Sequence, residues 1–507
     1  MKNYDLCVIG SGVGLSVLNP GLNRDWKCAL VEKDKIGGTC LTRGCIPSKI
    51  LIYPADMIRH AQHAKNVGVD FKLKDIDWNL MAKNMWSQID EGKQIERSLK
   101  QVPNLDLYQG VGEFTDDYQM KVTDLDGNKE LGEFKADRFV LASGARSIIP
   151  PIDGIDNIDY VTSESFFGQR FPKKPWKSLI IIGGGIIAAE FAHLFASVGT
   201  EVTIIEMLPR LVSTEEPEVS ELLRKQFEKH MTVLLKERAE KVEQNGKSKK
   251  VITKNTETGE DHEVEAKEIL IATGRRSNAD LLKVEETGVE TDEKGWIKAN
   301  KYLETTKQNI WSIGDANGDY QFRHKANYDA EICSNNIYGD PSQKQMVDYS
   351  SVPWAIFTNP QIGHVGLTQQ EAIDKGHQIY VAKKHYSTTA KGFAMGYREG
   401  REDDGFVKLV IDKSYKILGA HVIGPHAAVL VQPFVYLMNA GYTCDISEQV
   451  PIQAIPKSER SCPESGSFMP IYRSMVIHPS LSEVAAWAIG NMRPVNIKQE
   501  HHHHHDE

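Results

Sequence analysis

The sequence predicts an α/β protein in which one dinucleotide-binding fold is inserted into another, followed by a C-terminal α+β domain. Three observations carry this. A buried strand, a glycine turn and a helix follow one another twice along the chain. Each copy closes on a second strand that ends in glycine. Beyond about residue 350 the pattern changes to antiparallel hairpins.

The first copy opens with Leu6–Ile9, a short apolar run of the kind buried on both faces of a parallel sheet. Gly10-Ser11-Gly12-Val13-Gly14-Leu15 follows and starts a helix. The strand Cys28–Val31 then ends in Glu32, 22 residues after Gly10. The second copy repeats the order: Leu179–Ile182, Gly183-Gly184-Gly185-Ile186-Ile187-Ala188, a helix over roughly 186–198, and a strand ending in Glu206. Turns at Asp126-Gly127 and Thr258-Gly259 mark a hairpin-rich stretch in each. Leu141-Ala142-Ser143-Gly144 closes the first copy and Ile271-Ala272-Thr273-Gly274 the second. Ile310–Ile313, followed by Gly314-Asp315, returns the chain to the first fold. Val352–Phe357 and the hairpin Phe406–Ile411/Leu418–Val422 belong to the last domain. The expected boundaries are 1–150 and 276–347 for the first nucleotide domain, 151–275 for the second and 348–492 for the last. Residues 493–507, with His501–His505, form a tail resembling an expression tag.

Glycines in such turns let backbone approach a pyrophosphate at a helix N-terminus, and an acid at the end of the second strand takes a ribose hydroxyl. Leu15 stands where a small residue is usual, which predicts looser helix–strand packing. Glu206 would accept from a 2′-OH and repel a 2′-phosphate, favouring NAD(H); Arg210 nearby leaves NADP(H) open.

The 507 residues carry a net charge of −9 and a pI near 6.0, so no basic surface for nucleic acid or an anionic membrane is expected. No apolar run approaches about 18 residues, and no membrane span or signal peptide is expected. Seven cysteines over this length point to a reducing cytoplasm.

The most informative segment is Gly37-Gly38-Thr39-Cys40-Leu41-Thr42-Arg43-Gly44-Cys45-Ile46-Pro47-Ser48-Lys49. On a regular helix, positions five apart point in different directions, so a bond between the thiols needs a tighter turn. Gly44 supplies backbone freedom, and Pro47 suits a first helical turn. A thiolate at Cys45 would be favoured by that helix start. A structural disulfide or two buried thiols is the alternative; no metal-ligand pattern lies near the pair.

These motifs, with Ala272-Thr273-Gly274-Arg275-Arg276, Gly314-Asp315 and His478-Pro479-Ser480-Leu481-Ser482-Glu483, resemble the pyridine nucleotide–disulfide oxidoreductases over residues 4–490. That family includes dihydrolipoamide dehydrogenase, glutathione reductase and mycothione reductase. Gly10–Asn19, Ser277–Leu282 and Gly392–Met395 look like mycothione reductase; the Glu206 strand and His324-Lys325-Ala326 look like dihydrolipoamide dehydrogenase. The resemblance implies two Rossmann-like domains binding FAD and NAD(H), and a dimerisation domain that makes a homodimer. It implies Cys45 as the thiol facing the flavin, Cys40 as the interchange thiol, and Lys49 near the flavin paired with Glu190. It implies His478 of the partner subunit as acid–base, oriented by Glu483. A thiol exchange needs a thiolate to attack and a protonated leaving group, which a histidine supplies near neutral pH. FAD is expected at Gly10, Gly12, Gly14, Glu32, Lys33, Gly38, Thr39, Ser143, Gly144, Gly314, Asp315, His324 and Ala326. The nicotinamide nucleotide is expected at Gly183, Gly185, Ile187, Glu206 and Gly274.

Two departures stand out. Val476 occupies a position where the family often has a second histidine. Pro451–Tyr472 looks like an insertion of about twenty residues, containing Cys462, at the mouth of the substrate cleft. The expected activity is oxidation of a lipoyl or small-molecule dithiol, as in dihydrolipoyl dehydrogenase. The alternatives are reduction of a low-molecular-weight thiol disulfide of the mycothione type, or a non-catalytic flavoprotein redox sensor or subunit. Mercuric reductase is disfavoured, because no N-terminal Cys-x-x-Cys and no terminal vicinal cysteine pair are present.

Overall fold

The computed structural model describes residues 1–439, 466–468, 484–485 and 488–495. Its first sheet has five parallel strands in the order Ile310–Ser312, Phe139–Leu141, Leu6–Ile9, Cys28–Glu32, Leu105–Gln109. Leu6, Cys7 and Val8 are completely buried, as expected of a strand covered on both faces. The outermost strand, Ile310–Ser312, pairs with Phe139–Leu141 although a whole second fold intervenes between them. That second fold has its own five-stranded parallel sheet: Val161–Thr162, Glu268–Ile271, Ser178–Ile182, Glu201–Glu206, Thr232–Leu235. The two nucleotide-binding domains are therefore nested and built on one plan. Each carries an antiparallel hairpin sheet, turned at Gly127 and Gly259, both at positive φ.

The C-terminal domain is an antiparallel sheet of six strands, Pro353–Ile356, Ile362–Gly366, Ile417–Ile423, Phe406–Asp412, Ile379–His385 and Arg493–Pro494, in that order. Helix Ala427–Asn439 packs across it through Leu430, Val431 and Phe434.

One expectation needs correcting. Leu15 does not loosen the first helix, because the close approach falls one residue earlier. A Cβ at Gly14 would lie 2.6 Å from Val8 Cγ1 and 3.2 Å from Ala142 Cβ. Gly14 thus lets helix Gly14–Leu22 sit tightly on the sheet, while Leu15 packs half-buried beside the core.

The site is positioned by a core shared among three parts of the chain. Helix Ile186–Ser197 is apolar and buried nearly all round, the pattern of a helix enclosed on every side. It packs with Leu51 and Ala55 of helix Cys45–His63 and with Ile356 and Phe406 of the C-terminal sheet. This brings the thiol-bearing helix and the second nucleotide domain together.

Candidate active site

Helix Gly38–Thr42 carries Cys40 and stops. Arg43 (φ −157°) and Gly44 (φ −139°) leave helical geometry, and a new helix begins at Cys45. A Cβ on Gly44 would lie 2.9 Å from the Thr39 carbonyl oxygen, so this close turn needs glycine. The break brings the two thiols into hydrogen-bond contact. Both are free, Cys40 half-buried and Cys45 exposed.

That bond separates their acidities. The Cys45 thiol donates to Cys40 and holds it down to about 7; burial opposes this, while Arg323 and Lys49 add to it. The same bond pushes Cys45 up, because ionising it would lose the donor. The sequence placed a thiolate at Cys45 by its helix start; the contact between the sulfurs favours the thiolate on Cys40 with Cys45 as its donor. The Ile46 N–H at the helix start also reaches Cys40, so the helix terminus adds to the effect of the Cys45 donor.

Both cysteines line a cavity of about 400 Å³. Of the residues expected at the flavin, Gly10, Gly12, Glu32, Lys33, Gly38 and Thr39 also line it. So do Ser143, Gly144, Gly314, Asp315 and Ala326. Gly14 lies outside that wall, at the helix–strand contact. His324 also lies outside it, with Nε2 2.6 Å from the Pro353 carbonyl oxygen.

The lining fits a dinucleotide. Glu32 Oε2 accepts from the Ser11 N–H (2.8 Å) and hydroxyl (2.7 Å), and Ser11 Oγ accepts from the Gly37 N–H (3.0 Å). The carboxylate thereby ties the glycine turn to the segment leading into Cys40. Gly38 sits at φ +67° against Gly12, where a Cβ would come within 2.4 Å of the Gly12 Cα. Ser143 Oγ and Arg275 Nε line the same cavity, buried and without hydrogen-bond partners, as polar atoms awaiting a ligand would be. Burial pushes the Asp315 carboxyl up, with Arg275 and Lys325 opposing. These residues suit a flavin dinucleotide such as FAD.

Lys49 and Glu190 meet across the core. Lys49 Nζ donates to Glu190 Oε1 (2.9 Å) and Oε2 (2.7 Å), and lies 4.8 Å from the centre of the Phe357 ring. Glu190 also accepts from the Phe357 N–H at 3.1 Å. Lys49 and Glu190 both face the cavity that holds the thiols.

In the second domain, Gly183 and Gly274 take positive φ (114° and 133°) beside the strand ends. Glu206 ends its strand and accepts from the Leu208 N–H at 2.7 Å. A Cβ on Gly184 would lie 2.7 Å from Glu206 Oε2, so the acid packs directly on the glycine turn that runs to Gly185. Arg210 is spent on the carbonyls of Ser213 and Glu215. Ile187, expected at the nicotinamide nucleotide, lines the flavin-side cavity next to Glu190. His478, Glu483, Val476 and Cys462 lie outside the described residues, as does the histidine tail; of the 451–472 insertion only residues 466–468 are described, with Ser467 bridged to Lys416 and Phe468 buried in the C-terminal core. Arg323 was not singled out from sequence; it stands just before the His324-Lys325-Ala326 motif, and only the fold brings its charge to Cys40.

Nested nucleotide folds and a hydrogen-bonded thiol pair in one cavity define a dinucleotide-dependent disulfide oxidoreductase. The pattern described as "Pyridine nucleotide-disulphide oxidoreductase" matches residues 4–330, and that family's dimerisation domain matches residues 352–460. The chain belongs to this family. It is 31% identical over 455 residues to "Mycothione reductase" of Mycobacterium tuberculosis, covering 87% of this chain and 94% of that one. It is 30% identical over 500 residues to "Dihydrolipoyl dehydrogenase" of Chlamydia pneumoniae, covering 98% of each. Relatives named mercuric reductase match at a similar level. The "HOCl-induced flavoprotein disulfide reductase RclA" of Escherichia coli, seen as a Cu(II) complex, shares the fold at 24% identity and a TM-score of 0.77, over 97% of this chain and 99% of that one. Among the described residues no helix is long and apolar enough to cross a membrane.

Proposed function

We propose that the protein is an FAD-dependent, NAD(H)-linked dithiol–disulfide oxidoreductase that works as a homodimer, with dihydrolipoyl dehydrogenase activity as its leading reading. The observation that carries it is the Cys40–Cys45 pair, hydrogen-bonded and sharing a cavity with the Lys49–Glu190 ion pair. A bound flavin supplies two-electron exchange between the nicotinamide and the thiol pair.

The chain's residues supply the rest. The Cys40 thiolate, available near pH 7, attacks an external disulfide and releases one substrate thiolate, which takes a proton. Cys45 gives up its proton and attacks the Cys40 sulfur; the Cys40–Cys45 disulfide closes and the second substrate thiol leaves. One substrate disulfide is reduced and one thiol pair oxidised. The reverse sequence oxidises a dithiol. His478 of the partner subunit, oriented by Glu483, gives and takes the protons at the substrate sulfurs. Lys49, fixed by Glu190, places a cation on the cavity wall beside the thiols. Glu206 favours NAD(H) by accepting from a ribose hydroxyl and repelling a 2′-phosphate.

Reduction of a small thiol disulfide of the mycothione type is the second reading, favoured by the sequence of Gly392–Met395 and by the match to mycothione reductase. A non-catalytic flavoprotein is disfavoured by the intact thiol and Lys49–Glu190 sets. Steady-state assays decide among the three. Rapid turnover of dihydrolipoamide with NAD⁺, against slow turnover of a disulfide panel with NADH, supports the leading reading. The opposite ranking supports the second, and no turnover of either supports the third.

A further inference from the structure

A separate polar cluster is buried where the second nucleotide domain meets the C-terminal sheet. Glu215, just before helix Pro217–Glu228, meets His364 of strand Ile362–Gly366 and His421 of strand Ile417–Ile423. None of the three is more than 1% exposed. One donor atom from each lies within 4.8 Å of the other two.

The surrounding hydrogen bonds orient all three. His364 Nε2 is 2.9 Å from the Gly366 carbonyl oxygen, and His421 Nε2 is 3.0 Å from the Leu367 carbonyl oxygen. A carbonyl only accepts, so each Nε2 carries a proton and donates it. That leaves Nδ1 of each ring as the atom that can turn to a cation. His364 Nδ1 lies 2.9 Å from Glu215 Oε2. His421 Nδ1 is buried with no hydrogen-bond partner at all. Glu215 Oε1 accepts from the Trp354 indole N–H at 2.7 Å, which fixes the carboxylate and leaves Oε2 facing His364. Metal-ligating histidines are held in this way, one ring nitrogen donating to a backbone carbonyl and the other turned to the metal. Nearby, Lys408 is neutralised by Glu216 and Glu218, each at 2.9 Å, so its charge does not bar a cation.

We propose that Glu215, His364 and His421 bind a divalent d-block cation. Two imidazoles and a carboxylate suit zinc, with a fourth position open to water. Binding displaces the proton that His364 Nδ1 shares with Glu215 in the metal-free state. The ligands come from residues 215, 364 and 421, so a bound ion clamps the second nucleotide domain to the C-terminal sheet. The metal-free alternative is a buried hydrogen bond between His364 Nδ1 and Glu215 with no cation.

The test uses the full-length, flavin-loaded protein, kept oxidised and produced in zinc-supplemented medium. A brief EDTA wash strips zinc from His501–His505, and the remaining zinc is counted by mass spectrometry. The parent should retain about one zinc per chain. Glu215→Gln, which keeps the size and hydrogen bonding of the side chain, and His421→Ala should retain none. Zinc should also raise the Tm of the parent and leave that of both variants unchanged. A parent that retains none, or variants with normal flavin content that retain as much as the parent, would overturn the site.

Discussion

The two thiols differ because of one hydrogen bond. Cys40 is held down to about 7 chiefly by the Cys45 donor. Its thiolate is therefore present above about pH 7 and lost below it. Alkylation of the reduced protein by iodoacetamide should show a midpoint near 7 at Cys40. Cys45→Ala removes the donor and should move that midpoint up toward an ordinary thiol, about 8.5. An unchanged midpoint would mean that Arg323 and Lys49 set the acidity instead. The roles implied by the family add a second prediction. Cys45→Ser should abolish the long-wavelength absorbance of the two-electron-reduced protein, and Cys40→Ser should keep it while losing disulfide turnover; identical spectra for the two variants would contradict the assignment. The pair itself was legible from its glycines and spacing. The order of acidity was not, because it depends on how the chain turns at Arg43 and Gly44.

At the scale of elements, the glycine turns were the clearest signals, since backbone contact leaves no room for another residue. Gly38 combines φ +67° with backbone of Gly12 at 2.4 Å from any Cβ. Gly38→Ala should cost about 1–3 kcal/mol from backbone conformation alone and should sharply lower flavin content after purification. Full flavin content with an unchanged Tm would show that the turn can open. Glu206, packed on the second turn, should set the nucleotide preference. NADPH should be disfavoured by ~1–3 kcal/mol in kcat/KM, and Glu206→Ala should shrink that gap; a parent that uses NADPH as well as NADH would contradict the role. Two details were illegible at this scale. Gly14, not residue 15, meets Val8, because the first residue of the helix is the one that crosses the strand most closely. His324 turns to Pro353 because its helix also faces the C-terminal domain, whose position no local pattern encodes.

Across the whole molecule, the nesting was legible because Ile310–Ile313 and Gly314-Asp315 repeat the strand-end chemistry of the first fold after the second has closed. Lys49 and Glu190 are 141 residues apart, and only resemblance paired them in advance. Glu215, His364 and His421 gave no signal, since each is unremarkable within its own segment and only the packing of domains assembles them. The family's dimerisation domain supports a homodimer, and the proposed mechanism takes His478 from the partner subunit. Mixed Cys40→Ser and His478→Ala homodimers, each inactive, should recover part of the activity on subunit exchange; no recovery after verified exchange would place both residues in one subunit's site. The central claim is that a flavin and the Cys40–Cys45 pair form one electron store. Anaerobic dithionite titration of the flavin-loaded protein tests it most directly. The thiol pair is a two-electron couple and the flavin takes two more, so about four electrons per chain are expected, falling to about two in Cys40→Ser. An endpoint at about two electrons in the parent would contradict it.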